Sequence, residues 1–488
     1  MEIPLFGKVL NCLRSSRRGR FRSRAGQFTA IGILTVITGG STAMTQADCE
    51  VAQSTFDTDL QFMKQQHAPT HVRLMPSRYV ELRRAARGLS CSGVALVAFD
   101  GLRYRPTSWS GVPLVAFDGL RYRPAGWADD PGLSFFVPEL ARILGVSLAT
   151  ATDVFLIGAV LLALGFGLLG LLLTAQTKLG LRIGLVAFLL LTIVELVAGD
   201  VYVMNAAPAI ACVPWILSFT SRRKLTVGML LTFGVTGVLA ETANLFRSNA
   251  GTGLLLFALV LAAGVYQIKP TTRVLLAMLL LLSAAFPGLL FRELYARRNV
   301  FLEHQPGAVL ESGRVHPFWH SIYIGLSYVK NSDVPGYSDE VAAAKVRALR
   351  PEATYTSPEY EQVLKRETFK LAKRRPFLIL ANLFVKLVIV SFFFLCAANM
   401  GLYAARLARK PAWLELAFWL ALTFNGLFGV LVLPRPQYVI GLIAFAALYG
   451  VYSIEFAAIQ PHLQGKLIWI KKLLFVGPDG HRLGWRAL

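Results

Sequence analysis

Residues 154–175 read VFLIGAVLLALGFGLLGLLLTA, without a single charged side chain. As a helix rising 1.5 Å per residue the stretch is about 33 Å long, enough to cross the roughly 30 Å hydrocarbon core of a bilayer. Lipid offers no hydrogen bonds, so a run this apolar must satisfy its own backbone, and a helix does that within one segment. Working outward, comparable runs lie at 28–46, 183–200, 202–220, 225–243, 252–268, 274–291, 377–400, 412–433 and 437–456. The first is short and broken by Gly39-Gly40. Composition agrees, with 55% apolar and only 16% charged residues. The expected fold is an all-α polytopic membrane protein of about ten transmembrane helices.

The formal net charge is +22. Its distribution, not its size, carries the meaning. Arg14, Arg17, Arg18, Arg20, Arg22 and Arg24 precede the first run. Lys178 and Arg182, Arg222, Arg223 and Lys224, Lys269 and Arg273, and Arg406, Arg409 and Lys410 occupy every second connection, and Lys466, Lys471, Lys472, Arg482 and Arg486 fill the tail. The intervening short connections hold only Arg247 and Arg435. This is the positive-inside pattern, which predicts cytoplasmic termini in the cell membrane. Basic loops facing anionic lipid account for the charge, and no nucleic-acid recognition module accompanies it. A signal peptide cut after Ala47 is the competing reading of the N-terminus; the length of the first run favours an uncleaved anchor. Cys49 and Cys91 fall on the outer side, where a disulfide is permitted.

The chain divides into a basic N-terminus (1–26), a membrane region (27–291) containing a first long outer loop (47–153), a second outer loop (292–376), a further membrane region (377–456) and a basic tail (457–488). Long loops between membrane helices tend to carry function. In the first loop the segment Leu96–Pro106 recurs as Leu114–Pro124, a period of 18 residues. Each copy reads as strand, Asp-Gly turn and strand. Two copies are too few for a solenoid, so a local duplication is expected. The second copy leads into Asp129-Asp130, then Pro131-Gly132 and a helix-spaced stretch from Phe135 to Leu144. In the second loop, Ser338 is placed to cap a helix through Val341–Leu349, and a second helix is expected from Pro358 to Arg375, with Tyr360, Val363, Leu364, Phe369 and Leu371 on its apolar side.

Five constellations carry candidate chemistry. Asp129 and Asp130 are adjacent carboxylates, an arrangement that raises one pKa and suits a general base; Asp-Pro-Gly is also ordinary turn chemistry. His316 and His320, with Glu303 and His304 upstream, are open to three readings: contact with a phosphate, a metal site on one helix face, or part of an interfacial cluster with Phe318, Trp319 and Tyr323. Pro317 limits any helix to starting there. Arg435, between Pro434 and Pro436 and followed by Tyr438, can grip a lipid phosphate or simply reach the headgroup layer. Lys373, Arg374 and Arg375 depart from the charge rule, which long translocated loops tolerate; the other reading is docking of an anionic lipid carrier or polysaccharide. Glu195 and Lys386 fall inside predicted spans, where ionisable groups are costly and pairing with each other is one solution. Asp57-Thr58-Asp59 has an Asp-x-Asp form but is too short to weigh. No phosphate-binding loop, dinucleotide fingerprint, nucleophile elbow or His-Glu-x-x-His zinc site occurs.

Taken together, these features resemble the GT-C superfamily of integral membrane glycosyltransferases, such as protein mannosyltransferases and the lipid A aminoarabinose transferase. Members carry an acidic pair in the first long outer loop, which here looks like Asp129-Asp130. A later outer loop contacts the donor, which looks like the His316–Leu326 region. Many have a Pro-Arg-Tyr-type string opening a late span, to which Pro434-Arg435-Pro436-Gln437-Tyr438 is similar. The acidic pair usually follows the first span closely; here it lies roughly eighty residues on. The resemblance implies inverting transfer of a sugar from a polyprenyl-phosphate carrier to a lipid or glycan acceptor on the extracytoplasmic face. Asp129 or Asp130 would be the base, His316, His320 and Arg435 would hold the phosphate, and Trp319, Tyr323 and Tyr438 would pack sugar or lipid. The resemblance fixes no cofactor; a divalent cation is allowed. Three rival readings stand beside it: a transporter or flippase of a lipid-linked or anionic substrate, a non-catalytic envelope assembly protein, and a metal-dependent hydrolase built on His304, His316 and His320.

Overall fold

The computed structural model describes residues 98–99, 102–103, 115–117, 122–124, 131–144, 148–198, 201–220, 223–264, 266–304, 317–460 and 463. The expected first span, Cys49, Cys91, Asp57, Asp59, Asp129, Asp130 and His316 lie outside them. The tandem repeat forms two antiparallel hairpins. β1 (Ala98–Phe99) pairs with β2 (Leu102–Arg103), and β3 (Val115–Phe117) with β4 (Tyr122–Pro124). Phe99 faces Leu102 and Phe117 faces Tyr122, so both pairings bracket the Asp-Gly dipeptide as the sequence suggests.

Everything else regular among the described residues is helical. In chain order the helices are α1 (Pro131–Leu144), α2 (Leu148–Thr174), α3 (Lys178–Ala198), α4 (Ala207–Ser218), α5 (Val227–Phe246), α6 (Thr252–Gly264), α7 (Pro270–Glu303), α8 (Phe318–Gly325), α9 (Asp339–Leu349), α10 (Pro358–Arg374), α11 (Pro376–Ala398), α12 (Met400–Leu407), α13 (Ala412–Leu431) and α14 (Pro436–Ile459). A 3-10 turn, Val201–Asn205, leads into α4. Eight segments are long and apolar enough to cross a membrane: those of α2, α3, the turn with α4, α5, α7, α11, α13 and α14. The chain is a multi-pass membrane protein.

Two expectations are corrected by length. The run 252–268 becomes α6, only 13 residues and about 20 Å long, short of a full crossing. It is buried beside α13 instead. The run 274–291 becomes α7, whose 34 residues reach about 51 Å. The helix therefore continues through Arg292, Arg297 and Arg298 to Glu303, beyond the point where a loop was expected.

α14 is the hub. Its apolar window is 89% buried, and it packs against α3, α11, α12 and α13. Gly441, Ala444, Ala447 and Gly450 let neighbouring backbones come close, which is how apolar helices associate when lipid is equally apolar. By contrast α11 is only 17% buried and turns most of its surface outward. Glu455 near the end of α14 accepts from the Thr177 N–H at 2.8 Å and the Thr177 hydroxyl at 2.6 Å, sealing the start of α3.

α8, α9 and α10 form a layer with its own core of Tyr323, Leu326, Val346, Tyr360 and Leu364. Ser338 stands at the N-cap of α9 with extended backbone, but its side chain makes no capping bond; Ser357 does cap α10, accepting from Tyr360 N at 3.2 Å. Phe369, expected on the apolar side of α10, is 51% exposed.

Lys386 and Glu195 do not pair. The Lys386 ammonium is fully buried and donates to Val432 O at 2.9 Å, at the carboxyl end of α13. Asn382, one turn earlier on α11, donates to Leu326 O at 2.8 Å. Together they tie the α8 segment to the end of α13.

Candidate functional site

Where that tie is made, a cavity of about 340 Å³ opens at the end of the bundle. Tyr202, Asn205, Arg247, Ser248, Asn249 and Tyr438 form its polar side. Its apolar side comes from α8 (Phe318, Ile322) and α13 (Phe424, Leu427, Phe428, Leu431). Leu427 is 42% exposed on the surface of a spanning helix, so the apolar side runs out toward lipid.

The polar side is built by a tight corner after α5. Arg247 leaves the helix in extended conformation, and its N–H caps Ala243 O at 2.9 Å. Asn249 has φ of 68°, a left-handed conformation that asparagine tolerates better than most residues. Asn244 holds the corner from below: its Oδ1 accepts from Gly251 N at 2.8 Å, and its Nδ2 donates to Glu241 at 2.8 Å.

From this corner a ladder of arginine and tyrosine leads away from the cavity lining. The Arg247 guanidinium lies 4.8 Å over the Tyr202 ring, and Tyr202 meets Tyr438 edge-on at 5.0 Å. The Tyr438 and Tyr337 hydroxyls are 3.1 Å apart, and the Arg435 guanidinium is 5.5 Å from the Tyr337 ring. Cation–π and edge contacts of this kind fix ring orientation. Burial, then the adjoining Tyr438, pushes the Tyr337 hydroxyl well above the usual tyrosine range, so it keeps its proton; either hydroxyl of the pair can donate to the other. One guanidinium and two phenols in the lining, backed by Tyr337 and Arg435, stand against an apolar wall and suit an amphiphile with an anionic head.

Of the residues singled out by sequence, Tyr438 lines the cavity and Arg435 joins it through Tyr337. His320 does not line it. Its Nδ1 is 2.8 Å from the Tyr360 hydroxyl and its Nε2 is 3.0 Å from Asp339, so both ring nitrogens are engaged inside the layer. The expected phosphate contact of His320 is therefore not among the contacts the fold gives it. α8 begins at Phe318, after Pro317, and carries His320; His316 lies outside the described residues. Glu361 caps α8 from α10, accepting from Trp319 N at 2.6 Å and His320 N at 3.1 Å; burial raises its carboxyl against those bonds. Trp319 lies against Phe318, Phe369 and Lys365. Tyr323 is buried in the layer, and burial, then Glu367 and Asp333, pushes its hydroxyl up to about 12. Both aromatics therefore shape the layer beside the cavity. His304 ends α7 with Nδ1 2.7 Å from Val300 O. Among the described residues no group of three or more His, Cys, Asp or Glu is placed to hold a metal ion.

Sequence reasoning missed Tyr202, Asn205, Arg247, Ser248 and Asn249. One signal was available: Arg247 is one of two basic residues in the short connections at that end. The chain matches no family model, no curated protein and no solved structure.

Proposed function

We propose that the protein is a membrane glycosyltransferase of GT-C type, taking a sugar from a polyprenyl-phosphate carrier at the outer face of the cell membrane. The observation that carries this reading is the cavity itself. It joins guanidinium and phenol donors to an apolar wall that continues toward lipid. A carrier phosphate meets Arg247, Tyr202 and Tyr438, and the prenyl chain follows Leu427 and Leu431.

In the reaction an acceptor hydroxyl oxygen attacks the anomeric carbon as the bond from that carbon to the phosphate oxygen breaks, inverting the centre. Asp129 or Asp130 takes the hydroxyl proton, and the carrier leaves as a phosphate held by Arg247 and the phenols. Gly132, two residues after Asp130, packs on the Leu245 backbone, and Leu245 is two residues before Arg247. That contact supports bringing acid and arginine to one site. A positioned base contributes about 10²–10⁴ in rate, and stabilising the leaving charge contributes on a similar scale. Arg435 steadies the ladder through Tyr337, and His316 remains a candidate phosphate ligand.

The test uses membranes containing the full chain and a polyprenyl-phosphate donor carrying labelled sugar. Label should move to acceptor glycan or lipid, and the double variant Asp129→Asn, Asp130→Asn should abolish the movement. Unchanged transfer by the double variant removes the catalytic assignment. The same cavity would also serve a flippase, and label that changes leaflet without leaving its carrier decides for that reading.

A further inference from the structure

Most ionisable groups inside the spanning helices have a visible partner. Lys386 holds the α13 carbonyls, Glu455 holds the start of α3, and Glu241 accepts from Asn244. Glu195 is different. Its residue is 1% exposed, and its Oε1 has no hydrogen-bond partner among the described residues. The proposed transfer chemistry does not use it.

Its level can be read from helix register. Gly180 near the start of α3 lies against the Glu455 carboxylate of α14, where a Cβ would overlap it. The two helices run antiparallel, so fifteen residues along α3 correspond to fifteen back along α14. Glu195 therefore lies near the level of Ile440 and Gly441. Gly441 in turn backs onto the Asn205 carbonyl and the Asn425 side chain. The acid sits in the layer just beneath the cavity, while Asn205 belongs to the cavity lining.

The elements packed against this part of α3 are α2, α14 and the turn Val201–Asn205. Their titratable groups are Asp153 on α2, Tyr202 on the turn, and Tyr438, Tyr449, Tyr452 and Glu455 on α14. None of these elements contains a lysine or arginine. The basic groups of α3 itself, Lys178 and Arg182, lie about 20 Å or more away along the helix. An ionised carboxylate here would have neither counter-ion nor donors, which apolar surroundings strongly disfavour.

We propose that Glu195 is a proton-binding site inside the membrane, held as the neutral acid and open to modification by a hydrophobic carbodiimide. The reaction balances without a further reagent. The acid proton goes to one carbodiimide nitrogen, the carboxyl oxygen bonds to the central carbon, and acyl migration to nitrogen gives a stable acylurea that retains the whole reagent.

The experiment treats the full-length protein in its membrane with dicyclohexylcarbodiimide and maps the adduct by peptide mass spectrometry. Glu195 should be labelled, labelling should be lost as pH rises, and a water-soluble carbodiimide should leave it unlabelled. Glu195→Gln should lose this adduct and keep the others. Because the adduct is mapped on the wild-type chain, the result does not depend on the variant folding. Absence of label at Glu195, equal labelling by the water-soluble reagent, or labelling independent of pH would each overturn the proposal.

Discussion

Replacing Lys386 with methionine keeps a linear side chain out to Cε, with sulfur in place of Cδ, and removes the ammonium. In the folded chain that ammonium is fully buried, 2.9 Å from Val432 O and 3.5 Å from Leu431 O. The first contact is a charge-assisted hydrogen bond, worth about 1.5–3 kcal/mol. The second is at the limit of useful geometry and adds little. The cation also faces the negative end of the α13 dipole, worth about 0.3–1 kcal/mol. Methionine avoids the desolvation of a buried ammonium, which offsets part of the loss. It leaves Val432 O without its donor, however, and an orphaned buried acceptor costs about 1–3 kcal/mol. The expected net loss is about 1–3 kcal/mol, a factor of roughly 5–150 in the folding equilibrium. The assay is unfolding of the purified full chain in mixed micelles titrated with dodecyl sulfate, followed by tryptophan fluorescence. A Lys386→Met chain as stable as wild type, or more stable, would mean that desolvation outweighs the carbonyl contacts.

Arg247→Gln should weaken binding of polyprenyl phosphate in nanodiscs by roughly 10–150-fold, the equivalent of one lost charge-assisted contact, while binding of the uncharged polyprenol stays the same. Arg247→Lys should restore only part of the affinity, since the planar fork is lost. His320→Ala removes the link between Tyr360 and Asp339 and should destabilise the α8–α10 layer by about 1–3 kcal/mol, read as faster hydrogen exchange there with the spans unchanged. Burial alone would raise the Glu367 carboxyl, but the hydrogen bond and charge of Lys345, then Lys370, hold it below the ordinary carboxylate range. Its contribution is present above the unfolded pKa of about 4.3 and is lost as pH falls through the lower folded value. Exchange in α9 and α10 should therefore rise on acidification below that point, and Glu367→Gln should flatten the response.

The spanning helices were legible because charge-free runs have one solution in lipid. The run at 252–268 misled because apolarity does not report length: α6 stops at Gly264 and is covered by protein, not lipid. The hairpins were legible from Asp-Gly between alternating residues. His320 looked like a ligand because its partners, Asp339 and Tyr360, are 19 and 40 residues away in sequence. Phe369 fits a helical stripe, yet tertiary packing leaves it beside Trp319 at the surface. Pairing of Lys386 with Glu195 stayed open because sequence cannot show that backbone carbonyls already hold the lysine. The arginine–tyrosine ladder joins residues 202, 247, 337, 435 and 438, a convergence that no local pattern encodes.

We propose that this ladder and the wall of α13 hold the phosphate end of a prenyl carrier. The most direct test is an experimental structure of the full chain in nanodiscs saturated with polyprenyl phosphate. Phosphate density within hydrogen-bond reach of Arg247 and Tyr438, with the chain along Leu427 and Leu431, is the result expected. A carrier bound elsewhere, with the ladder unchanged and the cavity free of lipid, would contradict it.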